Sequence, residues 1–240
     1  MLSSTSRKRQ KEQDPKEKVR RKEALICDGR VLHFASALNA KDLVELETFL
    51  SSSEVQKNLG EAVLHDSTEA QYGSRKCSSA WLPLSALAAS IIRKLKKAVK
   101  EAQAHFEVLP RTRSGALMCK YEDVQYCEYK TGGHFQEWHV DADDDGIDDE
   151  DGRELTIVCL LAEPDIDFQG GTFQVMSPSY PNGHDLPLRK GDLIAFQAKK
   201  LWHRVLPTTH GTRKSLVLWA KHPNYTPSPP PNENEKQEHD

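Results

Sequence analysis

No stretch of this 240-residue chain approaches the roughly 20 consecutive apolar residues that a membrane-spanning helix needs. The opening residues, Met1 to Gln10, turn basic before an apolar run can form, which argues against a secretory leader. Cysteine is sparse and unpatterned. Cys27, Cys77, Cys119, Cys127 and Cys159 form no CxxC pair and no even-numbered framework, so they read as reduced thiols. Hydrophobic residues make up only 37%, and the shortfall lies at the two ends and in one acidic run. The middle can therefore still build one core of ordinary domain size. These absences predict a soluble protein of the cytoplasm or nucleus, one domain with appendages and no membrane partner.

The formal net charge of -3 hides strong segregation. Met1 to Ala24 carries nine Lys/Arg against four Asp/Glu, whereas Asp141 to Asp151 has eight acids in eleven residues. Residues 1–23 have almost no apolar anchor and should be disordered. Their clusters Arg7-Lys8-Arg9 and Lys18 to Lys22 resemble a two-part nuclear import signal, and a solvated tail is the plainer alternative. Residues 24–116 read as a helical support region. Ala24 to Ala37 suggests an edge strand, and Asn39-Ala40-Lys41-Asp42 an N-cap with an acidic third residue leading a helix through Leu43, Leu46, Phe49 and Leu50. That helix should end in Ser51 to Gly60, and Glu61 to Ser79 reads as loop. Leu84 to His105 repeats apolar residues every three or four positions, which predicts the longest helix, with Arg93, Lys94, Lys96, Lys97 and Lys100 on its other side. That basic face reads as solvated surface before it reads as a nucleic-acid contact.

The pattern then changes to short strands: Leu117 to Tyr121, Val124 to Tyr129, Gln136 to Asp141, Glu154 to Leu161, Thr172 to Met176, Leu193 to Gln197 and Ser215 to Ala220. Between them lies turn chemistry at Gly132-Gly133, Gly170-Gly171, Pro181-Asn182-Gly183 and Lys190-Gly191-Asp192. The fold class is thus mainly β with supporting helices, a sandwich or barrel over residues 117–223. Residues 224–240 hold Pro227, Pro229, Pro230 and Pro231 followed by acids and amides, and should be extended or disordered.

Chemistry concentrates in Tyr129 to Asp141. His139 and Asp141, two apart on a predicted strand, would share one face and offer a metal two ligands. His203 follows the apolar strand at Leu193 to Gln197, and Arg213 and Ser215 lie beyond it. Two His and one carboxylate with open positions suit non-haem Fe(II). The other eight His lack an acidic partner at strand spacing and read as packing or surface residues. Trp138 and Trp202 each precede a ligand and should point away from it.

The motifs occur in a set order: Tyr129 and a Gly-rich turn, His139-Val140-Asp141, Gly170-Gly171-Thr172-Phe173, Gly191 to Phe196, His203-Arg204-Val205-Leu206-Pro207, and Gly211-Thr212-Arg213-Lys214-Ser215. In that order the chain resembles the 2-oxoglutarate- and Fe(II)-dependent dioxygenases, in their prolyl 4-hydroxylase-like branch, over about Leu117 to Pro223. The resemblance implies a double-stranded β-helix (a cupin-like jelly-roll barrel) with N-terminal helices packed on one sheet. It implies His139, Asp141 and His203 as iron ligands and Arg213 as the cation for the distal carboxylate of 2-oxoglutarate, a role suited to a planar guanidinium. Tyr129, Ser215 and Thr156 are the further candidates for co-substrate contact. Some relatives carry a second co-substrate tyrosine where this chain has Thr156 to Leu161. The cofactors implied are Fe(II), 2-oxoglutarate and O2, with ascorbate as a candidate reductant. The activity implied is hydroxylation of a C–H bond, most plausibly on a prolyl side chain of a protein, with succinate and CO2 as co-products and no need for a general base.

Other readings compete. A nucleic-acid demethylase of a related branch would carry an Asn-x-Tyr signature and a second Arg shortly after the first. Lys214 to Ala220 contains none, and the acidic run would repel phosphates. A non-catalytic binding module would keep the barrel without the ligands. A hydrolytic zinc site would leave Arg213 and Tyr129 without a task. Asp141 to Gly146 matches the opening of a calcium loop, but its twelfth position is Gly152 and no helix flanks it. The run 141–151 reads by default as a solvated hairpin or lid between two barrel strands, and in a third reading its charge attracts a basic protein or peptide segment.

Overall fold

The computed structural model describes residues 23–62, 75–142 and 152–224. The basic tail through residue 22, the acid-rich run 143–151 and the Pro-rich tail from residue 225 lie outside the described residues, and so do the expectations attached to them.

The elements run β1 (Glu23–Ile26), β2 (Val31–Phe34), α1 (Ala40–Leu50), α2 (Ser53–Asn58), β3 (Gly60–Glu61), β4 (Arg75–Lys76), β5 (Ser78–Leu82) and α3 (Ala89–Phe106). They continue with β6 (Lys120–Tyr121), β7 (Val124–Lys130), β8 (His134–His139), β9 (Arg153–Leu160), β10 (Phe168–Gly170), β11 (Phe173–Ser177), β12 (Tyr180–Asp185), β13 (Leu193–Gln197), β14 (His203–Val205) and β15 (Thr208–Lys221). One sheet follows the order β1-β2-β13-β9-β15-β7-β5-β3, with β6 and β10 also on β15, and the second is β12-β11-β14-β8-β4. Along the chain β7 to β15 switch repeatedly between the sheets, through antiparallel pairings. Two such sheets closing over one core make the double-stranded β-helix.

The N-terminal part is more than helical support. The β1–β2 hairpin extends the large sheet beyond β13, and β5 and β3 extend it beyond β7. Of the stretch expected as loop, 61–79, residues 63–74 lie outside the described residues; the rest gives Glu61 to β3, all of β4 to the small sheet and the start of β5 to the large one. The helix expected from Leu84 is divided: Leu84–Ala86 is a 3-10 turn after Pro83, and α3 begins only at Ala89. A further short helix, α2, follows α1, capped by the Ser52 side chain. The α1 cap is as expected, with Asn39 accepting from the Asp42 amide and Asp42 accepting from the Asn39 amide. Lys94 leaves the solvated face of α3 to pair with the buried Asp42 carboxylate.

The helices cover one face of the large sheet. Leu46 and Leu50 of α1 and Ile91, Leu95 and Val99 of α3 join Leu155, Ile157, Cys159, Leu193, Leu216 and Leu218 in one apolar cluster. By strand alternation the neighbouring residues project from the other face, toward the small sheet, where Val158, Leu160, Ile194 and Phe196 meet Phe173, Val175 and Val205. The functional residues stand on that inner face. Among the described residues no helix is long and apolar enough to cross a membrane.

Candidate active site

The β8 strand ends at His139, so Asp141 follows it in a bend instead of sharing its face as the spacing suggested. A main-chain bond from the Asp141 amide to the Ala198 carbonyl, 2.9 Å, fixes that bend. His203 opens β14 directly opposite His139 in the register. These three side chains converge, with one potential ligand atom from each within 4.8 Å of the others. His203 Nε2 lies 3.6 Å from Asp141 Oδ1.

Both imidazoles are oriented from behind. His139 Nδ1 lies 3.0 Å from the Glu137 carbonyl, and His203 Nδ1 2.9 Å from the Leu201 carbonyl. A carbonyl oxygen only accepts, so each Nδ1 carries the proton and each Nε2 keeps its lone pair for a metal. Burial, then the neighbouring His203, pushes His139 down to about 3 and keeps it neutral. For Asp141 burial acts in the opposite sense, but His203, His139 and the Thr156 hydroxyl outweigh it and hold the carboxyl below its ordinary range. The donor set is thus two imidazole nitrogens and one anionic oxygen, which fits Fe(II) with open positions. Ring packing fixes the set further. Phe135 stacks on His139 at 3.7 Å between centroids, and Phe173 on His203 at 5.3 Å.

A cavity of about 730 Å³ opens beside these residues. Tyr129, Arg213 and Ser215 line it. Arg213 is 2% exposed; its guanidinium lies over the Tyr129 ring at 5.3 Å and donates to Ser215 Oγ at 3.2 Å. No carboxylate pairs with it among the described residues. An unpaired buried cation is costly, and the guanidinium pKa is lowered by that burial, so the site calls for an anion from outside. Gly171 makes room for this arrangement: a Cβ there would lie 3.0 Å from Arg213 Cδ, and its φ of +58° suits glycine.

Thr156 has a different place from the one expected. It is fully buried, is not part of the cavity lining, and donates its hydroxyl to Asp141 Oδ2 at 2.6 Å. Its task is therefore to orient a metal ligand, not to touch a co-substrate. Trp138 and Trp202 stay off the cavity, as alternation predicted. Trp138 lies under the Arg204 guanidinium at 4.3 Å, while Trp202 is half exposed.

Sequence reasoning missed Arg75, on the two-residue β4 strand. Its Nη2 donates to Gln125 Oε1 at 3.1 Å and contacts Cys127 Sγ at 3.4 Å, and its Nε contacts Cys77 Sγ at 3.2 Å. The guanidinium also lies over Phe135, the ring that stacks on His139. The Cys77 thiol is lowered to about 6 by the Cys127 thiol, then by the cation, against the effect of burial. Arg153, likewise missed, holds Glu122 with two bonds of 2.7 and 2.9 Å and reaches the Asp141 carbonyl at 3.2 Å. It also covers the Trp219 ring at 4.0 Å. The one nearby signal was the apolar run Ala80-Trp81-Leu82, which ends the strand next to Arg75.

Comparison with known proteins agrees with this geometry. The profile of the 2OG-Fe(II) oxygenase superfamily matches residues 124–221, the span holding all three metal ligands and Arg213. A PKHD-type hydroxylase of Janthinobacterium sp. (strain Marseille) is 27% identical over 194 residues, 80% of this chain and 78% of that protein. A prolyl-4-hydroxylase of Pseudomonas putida superposes with a TM-score of 0.59 at 20% identity, covering 80% of this chain and 92% of its own. A Trichoplax adhaerens prolyl hydroxylase, solved with a hypoxia inducible factor oxygen degradation domain peptide fragment, gives 0.58 at 18% identity, covering 80% and 83%. The viral collagen prolyl hydroxylase of Paramecium Bursaria Chlorella virus-1, as its 2OG complex, gives 0.56 at 21% identity, covering 82% and 99%. At these identities the solved structures speak to the fold. Profile, fold and donor set coincide on one cavity: residues 124–221 match the 2OG-Fe(II) oxygenase superfamily, and the chain shares the fold of the prolyl 4-hydroxylases.

Proposed function

We propose that the protein hydroxylates a prolyl side chain of a protein or peptide, with 2-oxoglutarate converted to succinate and CO2. The observation that carries this reading is the buried, carboxylate-free guanidinium of Arg213 in the same cavity as the two-His, one-carboxylate set. Iron held by His139, Asp141 and His203 would supply the activation of dioxygen toward an unactivated C–H bond. The chain's own residues do the rest. Arg213, steadied by Ser215 and the Tyr129 ring, binds the distal carboxylate of the co-substrate. Phe135 and Phe173 wall the metal ligands with apolar rings and limit water there. Thr156 keeps one Asp141 oxygen engaged, which sets the carboxylate's orientation.

A prolyl substrate is favoured because the named prolyl hydroxylases share the fold, and because the cavity mouth is aromatic, with Trp81 and Trp219 among its lining residues. The acidic composition of 141–151 favours a segment with basic neighbours. Basic clusters in residues 1–22 favour the nucleus over the cytoplasm, and ascorbate is proposed only as a reductant that sustains turnover. The test is an anaerobic reconstitution with Fe(II), addition of 2-oxoglutarate and O2, and mass spectrometry of candidate prolyl peptides beside methylated oligonucleotides. One added oxygen on a prolyl peptide, matched by succinate, is expected. Oxidation confined to the oligonucleotides would sink the prolyl reading.

A further inference from the structure

Trp81 of β5 and Trp219 of β15 meet with ring centroids 5.6 Å apart, and both line the cavity that holds the metal ligands. Trp81 is 47% exposed although it lines that cavity. Trp219 is almost wholly buried, its ring faced by Trp81 and by the Arg153 guanidinium at 4.0 Å, so it serves as the backing of the exposed Trp81 indole. The ledge stands close to the metal site. Trp219 pairs across the sheet with Thr156, whose hydroxyl is bonded to Asp141. An exposed indole held in place by a second one suits an extended, proline-rich segment, whose rings pack on indole.

The chain supplies such a segment at the right place. The β15 strand continues past Trp219 to Lys221, the His222 amide donates to the Gly152 carbonyl at 2.9 Å, and the chain thus leaves the barrel beside Arg153, itself a cavity wall. The next residues are Pro223-Asn224-Tyr225-Thr226-Pro227-Ser228-Pro229-Pro230-Pro231, an uncharged run with five prolines. We propose that this tail is itself a substrate of the site: Pro230 or Pro231 of the same chain is laid on the Trp81–Trp219 ledge and hydroxylated. This inference rests on the prolyl hydroxylase reading above and goes beyond it by naming a substrate.

Reach selects among the prolines. The five residues from Trp219 to Asn224 carry the chain outward by at most roughly 17 Å. A polyproline segment returns about 3.1 Å per residue, so Pro227 comes back only about 9 Å and Pro229 about 16 Å, while Pro230 and Pro231 reach about 19 and 22 Å. Pro230 and Pro231 thus exceed even the longest outward run and regain the level of Trp219 whatever path the chain takes. Tethering also places them at a local concentration of the order of millimolar, which favours reaction within one chain. The step balances as the proposed activity does: a prolyl C–H becomes C–OH with one oxygen atom of O2, and the other enters succinate as 2-oxoglutarate loses CO2.

The full chain, loaded with Fe(II) and given 2-oxoglutarate and O2, is digested with trypsin, and the peptide His222 to Lys236 is sequenced by mass spectrometry. One added oxygen on Pro230 or Pro231 is expected, at a rate independent of protein concentration and lost in Pro230→Ala/Pro231→Ala but not in Pro227→Ala. Trp81→Ala should slow it several-fold. A second readout needs no metal or turnover: replacing Pro229, Pro230 and Pro231 by Ser in the full chain should raise acrylamide quenching of tryptophan fluorescence, and should fail to do so in a Trp81→Phe background. An unmodified tail in protein that makes succinate and oxidises an added prolyl peptide overturns the inference and leaves the proposed function standing. A rate that rises with protein concentration overturns the single-chain geometry. Iron-loaded protein that makes no succinate brings down both readings.

Discussion

The two faces of β15 differ as two proteins would. Leu216, Leu218 and Ala220 point to the helices and lie in a wholly apolar cluster, while Arg213, Ser215, Val217 and Trp219 line the cavity. One strand thus carries stability on its even residues and chemistry on its odd ones. The difference teaches where tolerance lies. The helix-side face can accept any well-packed apolar set of similar volume, because the hydrophobic effect is not directional. The cavity face cannot, because it holds a buried cation whose counter-charge is to come from a ligand.

Substitutions on the two faces should separate accordingly. The largest effect on turnover is expected from His203→Ala, which removes a metal donor. It should lower succinate formation by more than the roughly 10- to 100-fold that loss of a ligand's hydrogen-bond partner costs. Iron binding and succinate yield check this, and near-normal yield would unseat the ligand assignment. On the opposite face Leu216→Ala should cost about 2–5 kcal/mol of stability by denaturant titration, with turnover per folded molecule unchanged. A lost turnover at intact stability would mean the two faces are not independent.

Arg213→Ala should chiefly raise the 2-oxoglutarate requirement, about 10- to 100-fold for a charge-assisted pair of roughly 1.5–3 kcal/mol. Arg213→Lys should recover only part of it, since an ammonium cannot make the forked contact. A substrate KM that moves while the 2-oxoglutarate KM stays fixed would contradict the assignment. The smallest effect belongs far from the cavity. Asn39→Ala removes the α1 cap and should cost about 1 kcal/mol in stability with no kinetic change. Any change in kinetics would show that the helices reach the cavity.

The same contrast explains what could be read in advance. β7, β9, β13 and the second half of β15 were legible because their apolar, β-branched and aromatic runs are bounded by turn residues. So were His139, His203, Arg213 and Ser215, which sit on those strands or on the short ones between them. Asp141 was found for a partly mistaken reason: the strand stops at His139, and a main-chain bond to Ala198 makes the turn that spacing alone cannot show. Pro181-Asn182-Gly183 read as a turn yet lies inside β12, because β12 is the edge of the small sheet and an edge tolerates proline. Arg75 was invisible, since two residues have no period and β4 exists only by pairing with β8, about a quarter of the chain away. α2 is likewise too short for a helical pattern to emerge from six residues.

The carbonyls of Glu137 and Leu201 that orient the two imidazoles have a consequence for how this centre can drift. They belong to the main chain, so no exchange of one side chain for another deletes them, and the imidazoles stay aimed across a wide range of surrounding sequences. Asp141 has a main-chain anchor only for its backbone; its carboxylate takes its hydrogen bond from a side chain, the hydroxyl of Thr156. Sequence variation that loosens metal retention without touching a ligand should therefore gather on the carboxylate side of the centre, while the imidazole side remains silent to it.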